Sequence, residues 1–248
     1  MTAENAAAWK PNKTAAHKDT LATAVAMFFG SAAVGICAAL FFYIHPRFDL
    51  AVAELLHVSA RRFIGSESVF FHTLRNTFST LFYIVCVFAG LGCVVTVSTR
   101  KSWLTLSARS WLYLAVCLLI GPLTIANLGF KDHWGRPRPI NVTEFGGKKA
   151  YEPPLARSDQ CDRNCSFISG EASSIYIVCF SAAFLFPGEA ALWTIAGVVL
   201  GSFAGFVRMA EGGHFLSDVL FAGVFMAMTA AVIHMLFAIV ARDPATTG

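Results

Sequence analysis

The chain has 248 residues, 56% of them hydrophobic and only 14% charged, with a mean hydropathy of +0.61 and a formal net charge of +4 at pH 7. That balance excludes an ordinary soluble domain and points to an integral membrane protein, with no nucleic-acid partner expected.

Taken in order, apolar runs long enough to cross hydrocarbon, which needs about 20 residues, fall at 21–44, 78–97, 111–130, 175–186 with its flanks, 190–207 and 219–240. The expected fold is all-α, a polytopic membrane protein of six transmembrane helices forming a single domain over residues 1–248, with 1–20 as an N-terminal tail. The first run is too long for a removed signal peptide and lacks its small-residue cleavage pattern, so it counts as the first span. The fourth must begin near Phe167 or Ser169 to reach membrane length before Pro187 and Gly188 stop it.

Between the first two spans, residues 48–63 mix Leu50, Val52, Leu55, Leu56, Val58 and Phe63 with Asp49, Glu54, Arg61 and Arg62. The pattern predicts an amphipathic helix lying along the interface, either guiding a lipid inward or simply covering the bundle. His57 and His72 carry no partner signal.

Six spans put the loops after the first, third and fifth helices on one face. Basic residues are more numerous there, but several belong to a candidate anion site, whereas Arg100, Lys101 and Arg109 crowd one short loop on the opposite face. The short loop marks the cytoplasmic side, together with both termini. The loop face is then the non-cytoplasmic one. Cys37, Cys86, Cys93, Cys117 and Cys179 lie in the spans as small apolar residues, while Cys161 and Cys165 stand apart in the third loop. An oxidising compartment would let those two form a disulfide; two free thiols are the alternative, and C-x3-C without a second ligand pair disfavours a metal.

The third span ends in Lys131-Asp132-His133-Trp134-Gly135-Arg136-Pro137-Arg138-Pro139, where prolines alternating with arginines force an extended path. Lys131 on the last turn and Arg138 on the stiff segment are placed to converge on an anion, one as a point charge and one as a fork. The outer loop, residues 131–170, closes with Ser169 and Gly170, whose position at a helix N-terminus offers free N–H groups, a hydroxyl and the positive dipole end to a phosphate. Glu171 beside them is either a general acid or a first-turn acid that favours the dipole. Finally, Arg208, His214 and Asp218 lie between two apolar runs, where ionisable groups suggest function. If a helix starts near Gly213, His214 and Asp218 share a face, and the carboxylate orients an attacking imidazole. Arg208 otherwise reads as a snorkelling anchor.

These three motifs, Lys131 through Arg138-Pro139, Ser169-Gly170, and Arg208 through His214 to Asp218, resemble the type 2 phosphatidic acid phosphatase superfamily. Departures occur at Ile168, Glu171 and Val207, where that family has proline, histidine and serine. The resemblance implies that His214 attacks phosphorus and forms a phosphohistidine, that Asp218 orients it, and that Lys131, Arg138, Ser169, Gly170 and Arg208 hold the phosphate oxygens. It implies neither a metal nor another cofactor. The role of the family's second histidine falls to Glu171, to His133 or to water. The wording of the motifs looks most like bacterial branches acting on envelope lipids, including lipid A phosphatases. A phosphorylated lipid and the membrane are the expected partners, and the resemblance implies a multi-pass protein of the bacterial inner membrane with its active site on the periplasmic face. Undecaprenyl diphosphate and phosphatidylglycerol phosphate remain rival substrates, and a non-catalytic lipid-binding or transport protein with a relict anion site is the rival of another class.

Overall fold

A computed structural model describes residues 13–240. Seven α-helices carry the fold among them: α1 (Lys13–Ile44), α2 (Phe48–Glu54), α3 (Val69–Thr99), α4 (Ala108–Leu118), α5 (Gly170–Leu185), α6 (Ala190–Ala210) and α7 (Leu216–Val240). Five helical segments are long and apolar enough to cross a membrane: Thr20–Ile44, Val69–Thr99, Ala108–Lys131, Pro187–Ala210 and Leu216–Val240. α5, expected as the fourth of six spans, is a shorter apolar helix of 16 residues and lies at the centre, packed most extensively on α6 and α7, while α1 lies along α7. The protein is a polytopic, predominantly helical membrane protein. Of the tail expected over 1–20, residues 1–12 lie outside the described residues and 13–20 already belong to α1.

α5 explains its own boundaries. Ser169 caps it by accepting from the Ala172 N–H, and the helix stops at Leu185, ahead of Pro187. Its burial is nearly all round, which suits a helix enclosed by others. Close approach to α6 comes from a row of glycines four residues apart: Gly197 faces Phe180, Gly201 faces Tyr176, and Gly205 faces Val219 of α7. Small residues at this spacing let helices meet where no aqueous hydrophobic effect drives them together.

α4 does not end at Leu118. It widens into a π-helix over Leu119–Lys131 that contains Pro122, and the Thr124 hydroxyl donates to the Leu119 carbonyl five residues back. Proline removes one N–H from the ordinary ladder. The widened segment delivers Lys131 to the end of the span, buried.

The interfacial helix expected over 48–63 is shorter than its pattern suggests. α2 covers only Phe48–Glu54; the chain then forms a small antiparallel hairpin of β1 (His57–Ser59) and β2 (Arg62–Phe63), with Ala60 at φ +44° in its turn. Packing decided this, because Phe63 and Ala53 are buried with Val142, Phe145 and Phe215 in a satellite core under the outer loop. α3 begins at Val69, nine residues before the apolar run starts at Phe78, and so carries His72 and Arg75 in its early turns.

Candidate active site

α6 ends at Ala210 and α7 begins at Leu216; between them the chain reverses through Glu211, Gly212 at φ +68°, and Gly213. A Cβ on Gly213 would stand 2.6 Å from a terminal nitrogen of Arg208, so glycine there lets the guanidinium fold back over the turn. His214 therefore lies just before α7 and not on it, which differs from the shared helical face expected for His214 and Asp218. Its Nδ1 lies 2.7 Å from the Ser166 carbonyl and 3.6 Å from Asp218 Oδ2. Because a carbonyl only accepts, Nδ1 carries a proton, and in the neutral ring the lone pair is then on Nε2. Nε2 is buried without a hydrogen-bond partner among the described residues.

Asp218 supports this arrangement from behind. Its Oδ2 accepts the Phe215 N–H at 2.8 Å and the Ser166 hydroxyl, and its Oδ1 accepts Arg136 Nη1 at 2.5 Å. Ser166 thus joins the carboxylate through its hydroxyl and the imidazole through its carbonyl.

Arg136 is the largest fully buried side chain. It donates to Ser217 Oγ at 2.8 Å, to Asp49 Oδ2 at 2.8 Å and to the Glu152 carbonyl at 2.9 Å, and its charge lies 4.4 Å from the centre of the Phe215 ring. Asp49, also fully buried, accepts the Ser217 N–H at 2.9 Å. Burial works against the charge on Arg136, but Asp218 and Asp49 outweigh it and raise its pKa above the ordinary arginine value. One guanidinium therefore locks α2, the 131–170 loop and the start of α7 around the turn that carries His214.

On the open side of Nε2, cations converge. Arg208 Nε lies 3.0 Å from Glu171 Oε1, and Lys131 Nζ and His214 Nε2 lie 4.0 Å and 3.7 Å from Glu171 Oε2. Gly170 borders this space: a Cβ there would come within 2.7 Å of Lys131 Nζ. Ser169 is buried, its N–H bonded to the Asp218 carbonyl at 3.1 Å and its hydroxyl committed to capping α5. Arg138 is half-buried and fixed by Asn164, donating to its carbonyl at 2.9 Å and to its side-chain oxygen at 2.8 Å. Burial, then the neighbouring Arg208, lower the Arg138 pKa from its ordinary value. Asn164 sits at φ +52° inside the short loop closed by the Cys161–Cys165 disulfide, whose Cα atoms are 5.8 Å apart. His133 is exposed, with Nδ1 2.8 Å from the Leu128 carbonyl of its own segment, and no described interaction joins it to His214 or Glu171.

Several residues here carry no motif signal in the sequence. Arg75 of α3 reaches Glu171 at 3.6 Å and Glu211 at 3.8 Å, His72 Nδ1 meets Glu211 Oε1 at 2.9 Å, and Glu211 also pairs closely with Arg208. The interruption of an apolar pattern by His72 and Arg75 was the available signal. Among the described residues, no group of three or more His, Cys, Asp or Glu side chains is arranged to hold a metal ion. A cavity of about 610 Å³ opens from Lys131, Gly170, Glu171 and Arg75 and runs between α3 and the α4 segment past Phe82, Ala89 and Leu118.

The profile of the PAP2 superfamily matches residues 110–241. A lipid A 4'-phosphatase of Francisella tularensis subsp. novicida (strain U112) is 37% identical over 202 residues, covering 79% of this chain and 89% of that protein. A lipid A 4'-phosphatase of Rhizobium leguminosarum is 32% identical over 153 residues, covering 60% of this chain and 64% of that protein. No solved structure matches the chain. Three ordered motifs converging on one buried histidine, and a match over more than half the sequence, have one explanation: the chain belongs to the PAP2 superfamily.

Proposed function

We propose that this protein removes a phosphate from lipid A at the periplasmic face of a bacterial inner membrane, with His214 as nucleophile. Membership of the superfamily and the identity with lipid phosphatases make the chain a phosphoric monoester hydrolase acting on a membrane lipid. The observation that supports the mechanism is His214 Nε2, buried, without a hydrogen-bond partner among the described residues, and gathered with Arg208 and Lys131 around one carboxylate, that of Glu171.

In the proposed reaction, Nε2 attacks phosphorus as the P–O bond to the lipid breaks. Arg208, Lys131 and Arg138 neutralise the phosphate oxygens, while the N-terminal end of α5 at Gly170 adds its dipole. The Ser166 carbonyl and Asp218 stabilise the imidazolium that attack creates. A water admitted at the mouth of the cavity gives the departing oxygen its proton, and the hydroxide so formed hydrolyses the phosphohistidine, releasing inorganic phosphate, while Glu171 serves the cations as their counter-charge. His133, exposed and tied to Leu128, is not placed to give that proton. The apolar cavity leading from Lys131 and Glu171 suits an acyl chain of the substrate.

Phosphate release by the purified protein from lipid A, a prenyl diphosphate and phosphatidylglycerol phosphate in detergent tests this reading. Preferential turnover of lipid A is expected; a higher rate on either rival would reassign the substrate, and no turnover of any would make the site a binding site.

A further inference from the structure

Glu171 occupies an unexpected place. Its carboxylate lies between Arg208, Lys131 and His214, the same three groups assigned to the phosphate and its attacker. Oε2 has no hydrogen-bond partner among the described residues, so the carboxylate is held there by charge and not by a fitted set of donors. A second cation waits on the outer side: Arg75 of α3, its side chain 41% exposed at the mouth of the cavity, stands 3.6 Å from Oε1. Arg208 does not depend on Glu171 for a counter-charge, since Glu211 pairs with it from the following turn, and His72 and Arg75 hold Glu211. Glu171 can therefore leave the cradle without stranding Arg208, and it has a cation to leave toward.

Building on the phosphatase reading, we propose that Glu171 is the resident anion of the phosphate site, displaced toward Arg75 by the substrate phosphate, and that this competition makes the site select phosphates anchored by a lipid chain over free anions. A free phosphate must displace a tethered carboxylate using the cations alone. A lipid phosphate adds the burial of its chain in the adjoining cavity. After hydrolysis the chain no longer holds the phosphate, and the returning carboxylate expels the product. Arg75 is a positioning residue in this scheme, acting through Glu171.

Binding of inorganic phosphate, measured by titration calorimetry in detergent, tests the proposal. In wild type the apparent affinity is reduced by the fraction of molecules whose site Glu171 fills, so removing the competitor should tighten binding by about tenfold. Glu171→Gln and Glu171→Asp should both show it, because aspartate keeps the charge but is one methylene too short to reach the cradle. Arg75→Ala should weaken phosphate binding in the wild-type background and change it much less in the Glu171→Gln background. Tightening in Glu171→Gln without tightening in Glu171→Asp would reduce the effect to through-space charge and overturn the proposal. Equal effects of Arg75→Ala in both backgrounds would make Arg75 a direct phosphate contact and overturn its assigned role. Absence of phosphate binding in every variant would remove the phosphate-site reading itself, and the proposal with it.

Discussion

His214 shows how a residue can be readable in kind and not in detail. Its spacing to Arg208 and Asp218 pointed to an oriented imidazole, but the atom that holds Nδ1 is the main-chain carbonyl of Ser166, which no side-chain pattern encodes. The difference has a measurable consequence. Where a carboxylate alone fixes the histidine tautomer, its amide replacement costs about 10⁴ in turnover; here Asp218→Asn leaves the carbonyl in place, so a loss nearer 10² is expected in kcat/KM on p-nitrophenyl phosphate. A loss equal to that of His214→Ala would show that Asp218 is the tautomer-fixing group after all. Arg136 was harder to read, since one arginine in Arg-Pro-Arg-Pro looks like another; only the fold shows that Arg136 is buried on Asp49 and Asp218 while Arg138 stays half-open on Asn164. Arg136→Ala leaves two buried carboxylates without their shared cation and should cost about 3–5 kcal/mol. An unchanged unfolding midpoint in detergent would contradict that role.

At the scale of elements, the span boundaries were legible because chemistry marks them: Ser169 caps α5, Pro187 follows its end, and Gly212 and Gly213 turn the chain before α7. The hairpin at 57–63 was not, because its amphipathic composition suits a helix and only the pocket that receives Phe63 decides otherwise. The start of α3 was missed for a related reason: His72 and Arg75 break the apolar run, yet both are consumed by Glu211 and Glu171. The junction of the π-helix with α5 yields a further prediction. A methyl group at residue 170 would meet Lys131 Nζ, so Gly170→Ala should displace one charge-assisted contact to the phosphate and lower kcat/KM by roughly tenfold to a hundredfold while leaving stability nearly unchanged. Wild-type kinetics in that variant would mean that Lys131 does not touch the substrate.

At the scale of the whole molecule, the cavity that opens from Lys131, Gly170 and Glu171 adjoins the turn that carries His214. Gly90 lines that cavity, and no heavy atom stands within 4 Å of where its Cβ would be. Gly90→Leu should therefore raise KM for a lipid substrate severalfold and spare p-nitrophenyl phosphate, which has no chain to place. Equal effects on both substrates would separate the cavity from substrate binding. The central claim is the attack by His214, and the measurement that tests it most directly is rapid quenching of the enzyme with lipid A labelled in its phosphate. The account predicts an acid-labile, alkali-stable phosphoryl group on the wild-type chain, with neither labelled chain nor phosphate release in His214→Ala. Label on another residue, or turnover by His214→Ala at the wild-type rate, would contradict it.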